Sequence, residues 1–278
     1  FGKDPINLSR TDNIFLYSGI NPPTGFRWNT NDLAICMIII FPFFLCSKKI
    51  TIKIFGIISI TTIIIMSSSR AVFLALILTY FLYLFLIKKQ IGTIALIWIV
   101  SSVFFLGVIQ LSESDNPRIN EVANSVEALA LYLSGDIDIG GSIEWRRELV
   151  LNGLNAFFKS YGLGLGAGGS VAYQELIGPV AGRFTSMHNF WIEILVEGGI
   201  IAFLIIIKLL SNLIIGLFIV SRRTENPKLK YYSQSLLLSV ISFIPAAIAA
   251  SSTIYFLPMW LLFGFSISVI LLAKLHLQ

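Results

Sequence analysis

Seven long apolar runs restrict what this chain can fold into more than any other feature. A helix needs about 20 predominantly apolar residues to cross a bilayer, and each run approaches or exceeds that length. Only 13% of the 278 residues are charged and 56% are hydrophobic, which excludes an ordinary soluble domain. The sequence therefore predicts an all-α, polytopic transmembrane helical bundle of about seven spans, near residues 31–47, 50–67, 71–87, 91–111, 190–221, 233–251 and 254–273.

Basic residues in the connections orient these spans. Cytoplasmic connections of membrane proteins carry an excess of Lys and Arg. Ten of the 20 Lys and Arg lie in the short connections of one side, which we predict to be cytoplasmic, whereas fourteen of the fifteen acidic residues belong to the other side. The cytoplasmic connections are residues 47–53, 88–90, 221–232 and 274–278.

The runs and their orientation divide the chain into four segments. Residues 1–30 form an extracytoplasmic segment, and residues 31–111 contain four spans. Residues 112–188 form one long, partly helical extracytoplasmic loop. Residues 189–278 contain three spans and a short cytoplasmic tail.

Two amphipathic helices are predicted in the long loop. The first begins at Pro117 and ends before Gly135, and the second begins near Ser142. We expect both helices to lie on the membrane surface or to cap the bundle.

The stretch SMHNFWIEILVEGG places polar groups at the mouth of an apolar run. If residues from 189 onward are helical, Asn189, Glu193 and Glu197 form one stripe on the helix. Ionisable groups at membrane depth are costly unless they are paired, so they mark either a functional cavity or a polar seam between helices. His188 precedes the helix on the outer side, where a neutral imidazole is able to accept a proton. An inert surface histidine is the alternative.

Three arginines lie on the same outer side. Arg70 follows three serines at the start of a span, and Arg146 and Arg147 follow Trp145 in the second loop helix. A lone interfacial arginine commonly reaches for a lipid phosphate, and a helix face in solvent explains others. Because arginines are disfavoured on the outer side, a specific anion is the sharper hypothesis. A guanidinium is always charged and grips phosphate oxygens through two parallel hydrogen bonds.

Two further patterns offer weaker functional interpretations. The run GLGLGAGGS, residues 162–170, suggests a phosphate-binding loop, but a helix end followed by a tight turn explains it better because the run lacks a terminal Lys-Ser or Lys-Thr. Asp136 and Asp138 resemble the metal-binding pair of nucleotide-sugar transferases. His276 lies at the cytoplasmic end, so the outer side has no His/Cys set for zinc, and we predict neither a metal site nor a cofactor.

Four stretches in this order resemble the O-antigen ligase and O-antigen polymerase superfamily of bacterial envelope proteins, which includes teichuronic acid polymerase-like proteins. They are WNTNDLAICMIIIFPFFL (28–45), SSSRAVFLALIL (67–78), SIEWRRELVLNGLNAFFKSYGLGLGAG (142–168) and HNFWIEILVEGGIIAFL (188–204). Members of the superfamily typically have about a dozen spans, so the resemblance corresponds to their C-terminal half or more. We therefore expect further spans upstream.

The resemblance implies a site and a reaction. Its functional residues carry over to His188, to Arg70 and to Arg146 or Arg147, with Arg146 as the first choice and Arg147 as a substrate contact. The implied reaction transfers a glycan from undecaprenyl diphosphate to a sugar hydroxyl of lipid A core or of another lipid-linked glycan. It takes place on the periplasmic or exterior face of the bacterial inner membrane. Asn189 and Glu193 would orient His188 or contact sugar hydroxyls.

Two other classes of function compete with this one. A transporter or flippase of lipid-linked sugars would also use outer arginines and intramembrane carboxylates, but it should carry polar residues deep in several spans, and residues 50–111 offer almost none. A sensor or scaffold without chemistry would leave the gathering of basic groups on one side unexplained. Membrane lipids are expected partners, and nucleic acid is not.

Overall fold

Helices make up all the regular structure in the described residues. In the computed structural model these are residues 29–67, 69–90, 92, 142–177, 185–250 and 256–276. The helices are α1 (Thr30–Leu45), α2 (Ile50–Met66), α3 (Arg70–Leu82), α4 (Ser142–Lys159), α5 (Gly169–Ile177), α6 (Phe190–Arg223), α7 (Pro227–Ala246) and α8 (Leu257–His276). A π-helix over Tyr83–Lys88 continues α3, and a 3₁₀ turn over Ala247–Ala249 continues α7.

Four of these helices are long and apolar enough to cross a membrane, namely Arg70–Lys88, Phe190–Arg223, Pro227–Ala249 and Leu257–Leu275. The predicted spans near 31–47 and 50–67 correspond to α1 and α2, which are apolar but shorter. The predicted span 91–111, the first loop helix and the Asp136–Asp138 pair lie outside the described residues. The second loop helix begins at Ser142, as predicted, and α5 was not predicted.

Asparagine side chains cap the N-termini of three of the helices. The side-chain oxygens of Asn29, Asn189 and Asn226 accept hydrogen bonds from the first backbone N–H groups of α1, α6 and α7. These N–H groups have no partner within the helix, so a capping side chain satisfies them and fixes where the helix starts. At α7, Pro227 in the first turn adds a backbone angle that suits a helix start.

The chain divides into two compact units, residues 1–80 with 146–278 and residues 81–145. In the second unit, the rings of Phe81 and Phe85 stack at 6.0 Å between centroids. The π-helix there ends at Lys88, and the following residue, Lys89, has a left-handed backbone.

Helix α7 is the centre of the first unit, where it packs against α1, α6 and α8. Small hydroxyl side chains let neighbouring backbones approach closely, as is common between membrane helices. Ser239 Oγ donates to the carbonyl oxygen of Ile39 at 2.6 Å, and Ser242 shares a hydrogen bond of 2.5 Å with Thr79 of α3. Large apolar side chains on the outward faces of α2, α3, α6 and α8 remain exposed, as a lipid-facing surface requires.

Cross-helix hydrogen bonds define which helix ends lie together. The Tyr231 hydroxyl, at the start of α7, donates to the carbonyl oxygen of Phe43 at the end of α1. Trp191 Nε1, at the start of α6, donates to the carbonyl oxygen of Ile244 at the end of α7. Both α1 and α6 are therefore antiparallel to α7, and their first turns share one end of the bundle with the last turn of α7. We call this the Asn189 end.

Helix α3 also begins at the Asn189 end. Helices α1 and α2 pack against each other and are joined by a short turn, so α2 ends where α1 begins. Helix α3 starts four residues after the end of α2, at Arg70. By Tyr80, ten residues into α3, it has reached the level of Phe41, eleven residues into α1, with the two ring centroids 5.2 Å apart. The chain therefore reverses its direction between α2 and α3.

Candidate active site

His188 stands at the Asn189 end, immediately before the helix that Asn189 caps. Its backbone has φ 45°, in the left-handed region that residues with a Cβ adopt rarely. The side chain is half-buried, and its neighbours Met187 and Phe190 are each 1% exposed. The buried side chains of Met187 and Phe190 thus hold the strained backbone of His188 in place.

Burial and two charges set the pKa of His188. Burial is the largest effect and lowers the pKa below its usual 6.5, because a buried imidazole resists charging. The Arg146 guanidinium lowers the pKa further, whereas the Asp32 carboxylate raises it. The imidazole is therefore neutral at neutral pH, which is the form that accepts a proton.

Helix α4 brings Arg146 towards His188. Leu149, Gly153 and Ala156 recur at helical spacing and form a buried face, on which Ala156 packs with Met187 and Val196. A Cβ on Gly153 would overlap the end of the Met187 side chain. Arg146 is in register with this face, seven residues before Gly153, so the guanidinium lies on the side of α4 that meets the histidine segment.

Arg147 lies on a different face of α4. It is about 100° around the helix from Arg146, in register with Leu151 and Phe158, which are 54% and 70% exposed. Both arginines are exposed, but Arg146 is the one whose charge acts on His188. Arg70 is also exposed and forms the first residue of α3 at the Asn189 end. Arg146 and His188 are therefore brought together, Arg70 shares their end of the bundle, and Arg147 faces elsewhere.

Asn189, Glu193 and Glu197 occupy the first turns of α6. The side-chain oxygen of Asn189 accepts from the N–H groups of Trp191 and Ile192, so it is engaged as a helix cap. Glu193 is 9% exposed and Glu197 is 7% exposed. Both line a cavity of about 210 Å³ between α6 and α8, together with Phe190, Met259 and Trp260. Because His188 lies outside the helix, its direction relative to Glu193 does not follow from helical spacing.

The glycine loop, residues 162–169, packs against a break in α6. Gly199 has φ 71° and ψ −176° and interrupts the helix. The N–H of Leu165 donates to Val196 O at 2.8 Å, that of Gly166 to Glu197 O at 2.9 Å, and that of Ile200 to Gly162 O at 3.0 Å. Adding a Cβ to Gly199 would overlap the carbonyl of Leu163, so this close approach requires glycine.

Most backbone N–H groups of the glycine loop already donate hydrogen bonds within the protein, so for these groups the phosphate-loop interpretation is wrong. The N–H groups of residues 162, 163, 164, 165, 166 and 169 all donate to protein oxygens. An anion would have to compete with these hydrogen bonds. The loop instead holds α5 against α6, where Ser170 Oγ donates to Glu197 Oε1 at 2.6 Å.

Metal ligation finds no support in the part of the chain that the structure describes. There, no group of three or more His, Cys, Asp and Glu side chains is arranged to hold a metal ion.

Sequence reasoning missed Asp32 as a neighbour of His188. The signal available was a carboxylate in the first turn of an apolar helix, a position that Asp favours in any helix, so it did not stand out.

This arrangement defines a class of protein. A bundle of lipid-facing helices that gathers an imidazole, a guanidinium and buried carboxyl groups at one end is a multi-pass membrane protein with a polar site at the end of its helices. The comparisons identify the family. A model of the O-antigen ligase family matches residues 54–207, more than half of the chain, and the chain belongs to this family.

A curated relative agrees with the family assignment. The teichuronic acid biosynthesis protein TuaE of Bacillus subtilis (strain 168) is 26% identical over 250 residues. The alignment covers 85% of this chain and 50% of the relative. The chain thus spans about half the length of the relative it matches. Family membership does not favour the transporter interpretation.

Proposed function

We propose that the protein is a membrane glycosyltransferase that moves a glycan from undecaprenyl diphosphate to a sugar hydroxyl. The reaction takes place on the outer side of the bacterial cytoplasmic membrane and needs no metal ion. The acceptor is lipid A core in a ligase or another lipid-linked glycan in a polymerase. The name of the relative from Bacillus subtilis concerns the biosynthesis of a polysaccharide, which supports this class of product.

The observation that carries the proposal is the neutral, strained His188 beside Arg146 at the Asn189 end. A sugar hydroxyl is a poor nucleophile, and a base that removes its proton during attack typically contributes about 10²- to 10⁴-fold in rate. The lowered pKa of His188 suits this role, because the imidazole is unprotonated at working pH. Strained backbone conformations cluster at functional sites, which also supports a role in catalysis.

The arginines serve the leaving group. As the acceptor oxygen attacks the anomeric carbon, the bond between that carbon and the diphosphate oxygen breaks, and His188 takes the hydroxyl proton. Negative charge grows on the departing lipid diphosphate, and Arg146 and Arg70 stabilise it through preorganised positive charge. Displacement in one step inverts the anomeric configuration. Asn189 and Glu193 orient His188 or contact sugar hydroxyl groups, and Arg147, on another face of α4, contacts the glycan or phosphate.

Single substitutions in the full-length protein test this proposal. His188→Ala, Arg70→Ala and Arg146→Ala should each lower glycan transfer from a defined lipid-linked repeat by about 10²-fold or more. Arg222→Ala is the matched control, because Arg222 lies at the opposite end of α6, over the ring of Phe218. Product analysis by gel and mass spectrometry measures transfer and separates free polymer from ligated lipid. Retained turnover in both His188→Ala and Arg70→Ala would refute the site.

Chelation tests the absence of a metal. Transfer should continue in EDTA at the rate seen without it. Loss of activity that magnesium restores would contradict metal independence and would direct attention to Asp136 and Asp138.

A further inference from the structure

Asp32 is a buried carboxylate that the proposed function has not yet used. It lies in the first turn of α1 and is 3% exposed. Helix starts favour acidic residues, but the same benefit is available to an exposed side chain. Burying a carboxylate is costly unless other groups stabilise it. The burial of Asp32 therefore calls for an explanation beyond the helix start.

The packing of α1, α6 and α7 brings Asp32 to the histidine. Helix α7 runs antiparallel to both α1 and α6, as its hydrogen bonds to Phe43 and from Trp191 establish. The 3₁₀ turn Ala247–Ala249 at the end of α7 contacts both α1 and α6. The start of α1, which contains Asp32, and the start of α6, which His188 precedes by two residues, thus lie at the same end of the bundle as this short turn, although 155 residues lie between Asp32 and His188 along the chain.

Two residues of opposite charge, on two different helices, act on the pKa of His188 in opposite directions. The charge of Arg146 comes from α4 and that of Asp32 from α1. Along the chain, Asn189 directly follows His188, and Glu193 lies five residues after His188. The last turn of α7 and its 3₁₀ extension, residues 244–249, contain no titratable side chain. Asp32 is therefore the carboxylate that α1 adds to the surroundings of the imidazole.

We propose that Asp32 is the positioning residue for His188, where it orients the imidazole and stabilises the imidazolium that forms when His188 takes the acceptor proton. This proposal rests on the proposed function. Burial and, to a lesser extent, Arg146 favour the neutral imidazole before the reaction, and Asp32 compensates for its positive charge afterwards. A carboxylate beside a catalytic histidine performs the same two tasks in serine hydrolases without accepting the proton itself. The proton passes from the acceptor hydroxyl to His188 and leaves to water after product release.

Removal of the charge at residue 32 should move the titration of His188 in a predictable direction. Because the carboxylate raises the pKa of His188, Asp32→Asn should lower that pKa further. The acidic limb of the pH–rate profile should then move to lower pH, and the maximal rate should fall by about tenfold or more. A merely structural role would lower the rate without moving this limb.

The titration is measurable without activity. Diethyl pyrocarbonate acylates neutral imidazole, so the pH dependence of its reaction at the peptide containing His188, followed by mass spectrometry, reports the pKa. Asp32→Asn and Asp32→Ser both remove the charge, and Ser retains a side chain favoured at helix starts. Glu175→Gln is the matched control, since Glu175 is an exposed carboxylate on α5. It should change neither the titration nor the rate.

The outcomes separate this proposal from the proposed function. If His188→Ala and Arg70→Ala both retain transfer, the proposed site fails, yet the acylation measurement still reports whether Asp32 acts on His188. If His188→Ala is inactive but either folded Asp32 variant keeps the wild-type titration, the positioning role is wrong. Asp32→Glu, which keeps the charge, should restore the position of the acidic limb and part of the rate. If it leaves the limb at the Asp32→Asn position, the carboxylate does not act through its charge.

Discussion

The glycine loop and the segment Met187–Asn189 both meet the first turns of α6 with left-handed backbone, but different residue types adopt it. In the glycine loop, residues 162–169, the positive φ angles belong to Gly162, Gly164, Gly166 and Gly168. In the histidine segment, the positive φ belongs to His188. Glycine enters this region at no steric cost, whereas a residue with a Cβ is strained by about 1–2 kcal/mol. The glycine loop therefore adopts its left-handed backbone without strain, whereas the surrounding packing has to hold His188 in a strained backbone conformation.

Two other described residues with a Cβ have positive φ, and both have a structural reason. Lys89 follows the π-helix and Tyr161 follows α4, so each occupies a helix C-terminus, where a left-handed residue is a common ending. His188 instead precedes a helix, where capping does not require this conformation. The contrast singles out His188 as the position where strain accompanies a chemically active side chain.

Substitution of His188 should separate chemistry from backbone strain, with the largest effect on chemistry. His188→Ala and His188→Gly both remove the base, so each should lower transfer by about 10²- to 10⁴-fold. His188→Gly should nevertheless be more stable to unfolding than His188→Ala by about 1 kcal/mol, because glycine relieves the left-handed strain. Unfolding in mixed detergent micelles measures the difference. Equal stability of the two variants would mean that the strain at this position is absent.

Replacement of a glycine in the loop by alanine should lower the free energy of unfolding by an amount that depends on the space around the new Cβ. Gly164 and Gly166 have nearly equal φ, +86° and +85°. A Cβ on Gly164 would lie 2.5 Å from the carbonyl oxygen of Glu197, whereas a Cβ on Gly166 meets nothing within 4 Å. Gly166→Ala should therefore cost about 1 kcal/mol from φ alone, and Gly164→Ala about 1–3 kcal/mol more from overpacking.

Helical Gly264 is the control for this pair. Its Cβ would also meet nothing within 4 Å, and its φ is not positive. Gly264→Ala should leave stability unchanged or raise it slightly, because alanine has the higher helix propensity. Equal losses in Gly164→Ala and Gly166→Ala would contradict the close packing of the loop on the break in α6.

The ends of several helices could be predicted from the sequence because hydropathy and charge mark them directly, but the span predicted to begin at 233 begins at Pro227. The run predicted at 190–221 is observed as Phe190–Arg223, and the run at 254–273 as Leu257–His276. The break at Gly199 was not predicted, because Gly-Gly inside an apolar run is compatible with a continuous helix. It arises from long-range hydrogen bonds to the glycine loop, which no local pattern reports.

The residues of the candidate site stay a prediction, and the sequence could point to some of them for a similar reason. His188, Arg70 and Arg146 carry side chains whose chemistry is recognisable in isolation, and the order of the motifs supplied the rest. The neighbourhood of Asp32 and His188 depends on how α1 and α6 pack on α7, which only the folded structure contains. Helix α5 was missed because its nine residues follow a glycine-rich turn and have no long apolar run.

An effect smaller than that of Gly164→Ala is expected at the hydrogen bond that fastens α5 to α6. Ser170 is 2% exposed, and its hydroxyl donates to Glu197 Oε1 at 2.6 Å. Ser170→Ala removes the donor and leaves a buried carboxyl oxygen without it, which should cost about 1–3 kcal/mol. Ser268→Ala is the control, because the Ser268 hydroxyl is exposed and donates within its own helix, to Gly264 O. That change should stay within about 0.5 kcal/mol of wild type.

A double-mutant cycle decides whether the loss comes from this hydrogen bond. If Ser170 stabilises the fold through Glu197, the effect of Ser170→Ala should shrink when Glu197 has already been changed to Leu, since no carboxyl oxygen then remains to be left unsatisfied. Independent effects would mean that Ser170 contributes through packing alone. Because the loop and the histidine segment contact α6 separately, Ser170→Ala should leave the pH dependence of transfer unchanged. A shifted acidic limb in this variant would show instead that the loop helps to set the pKa of His188.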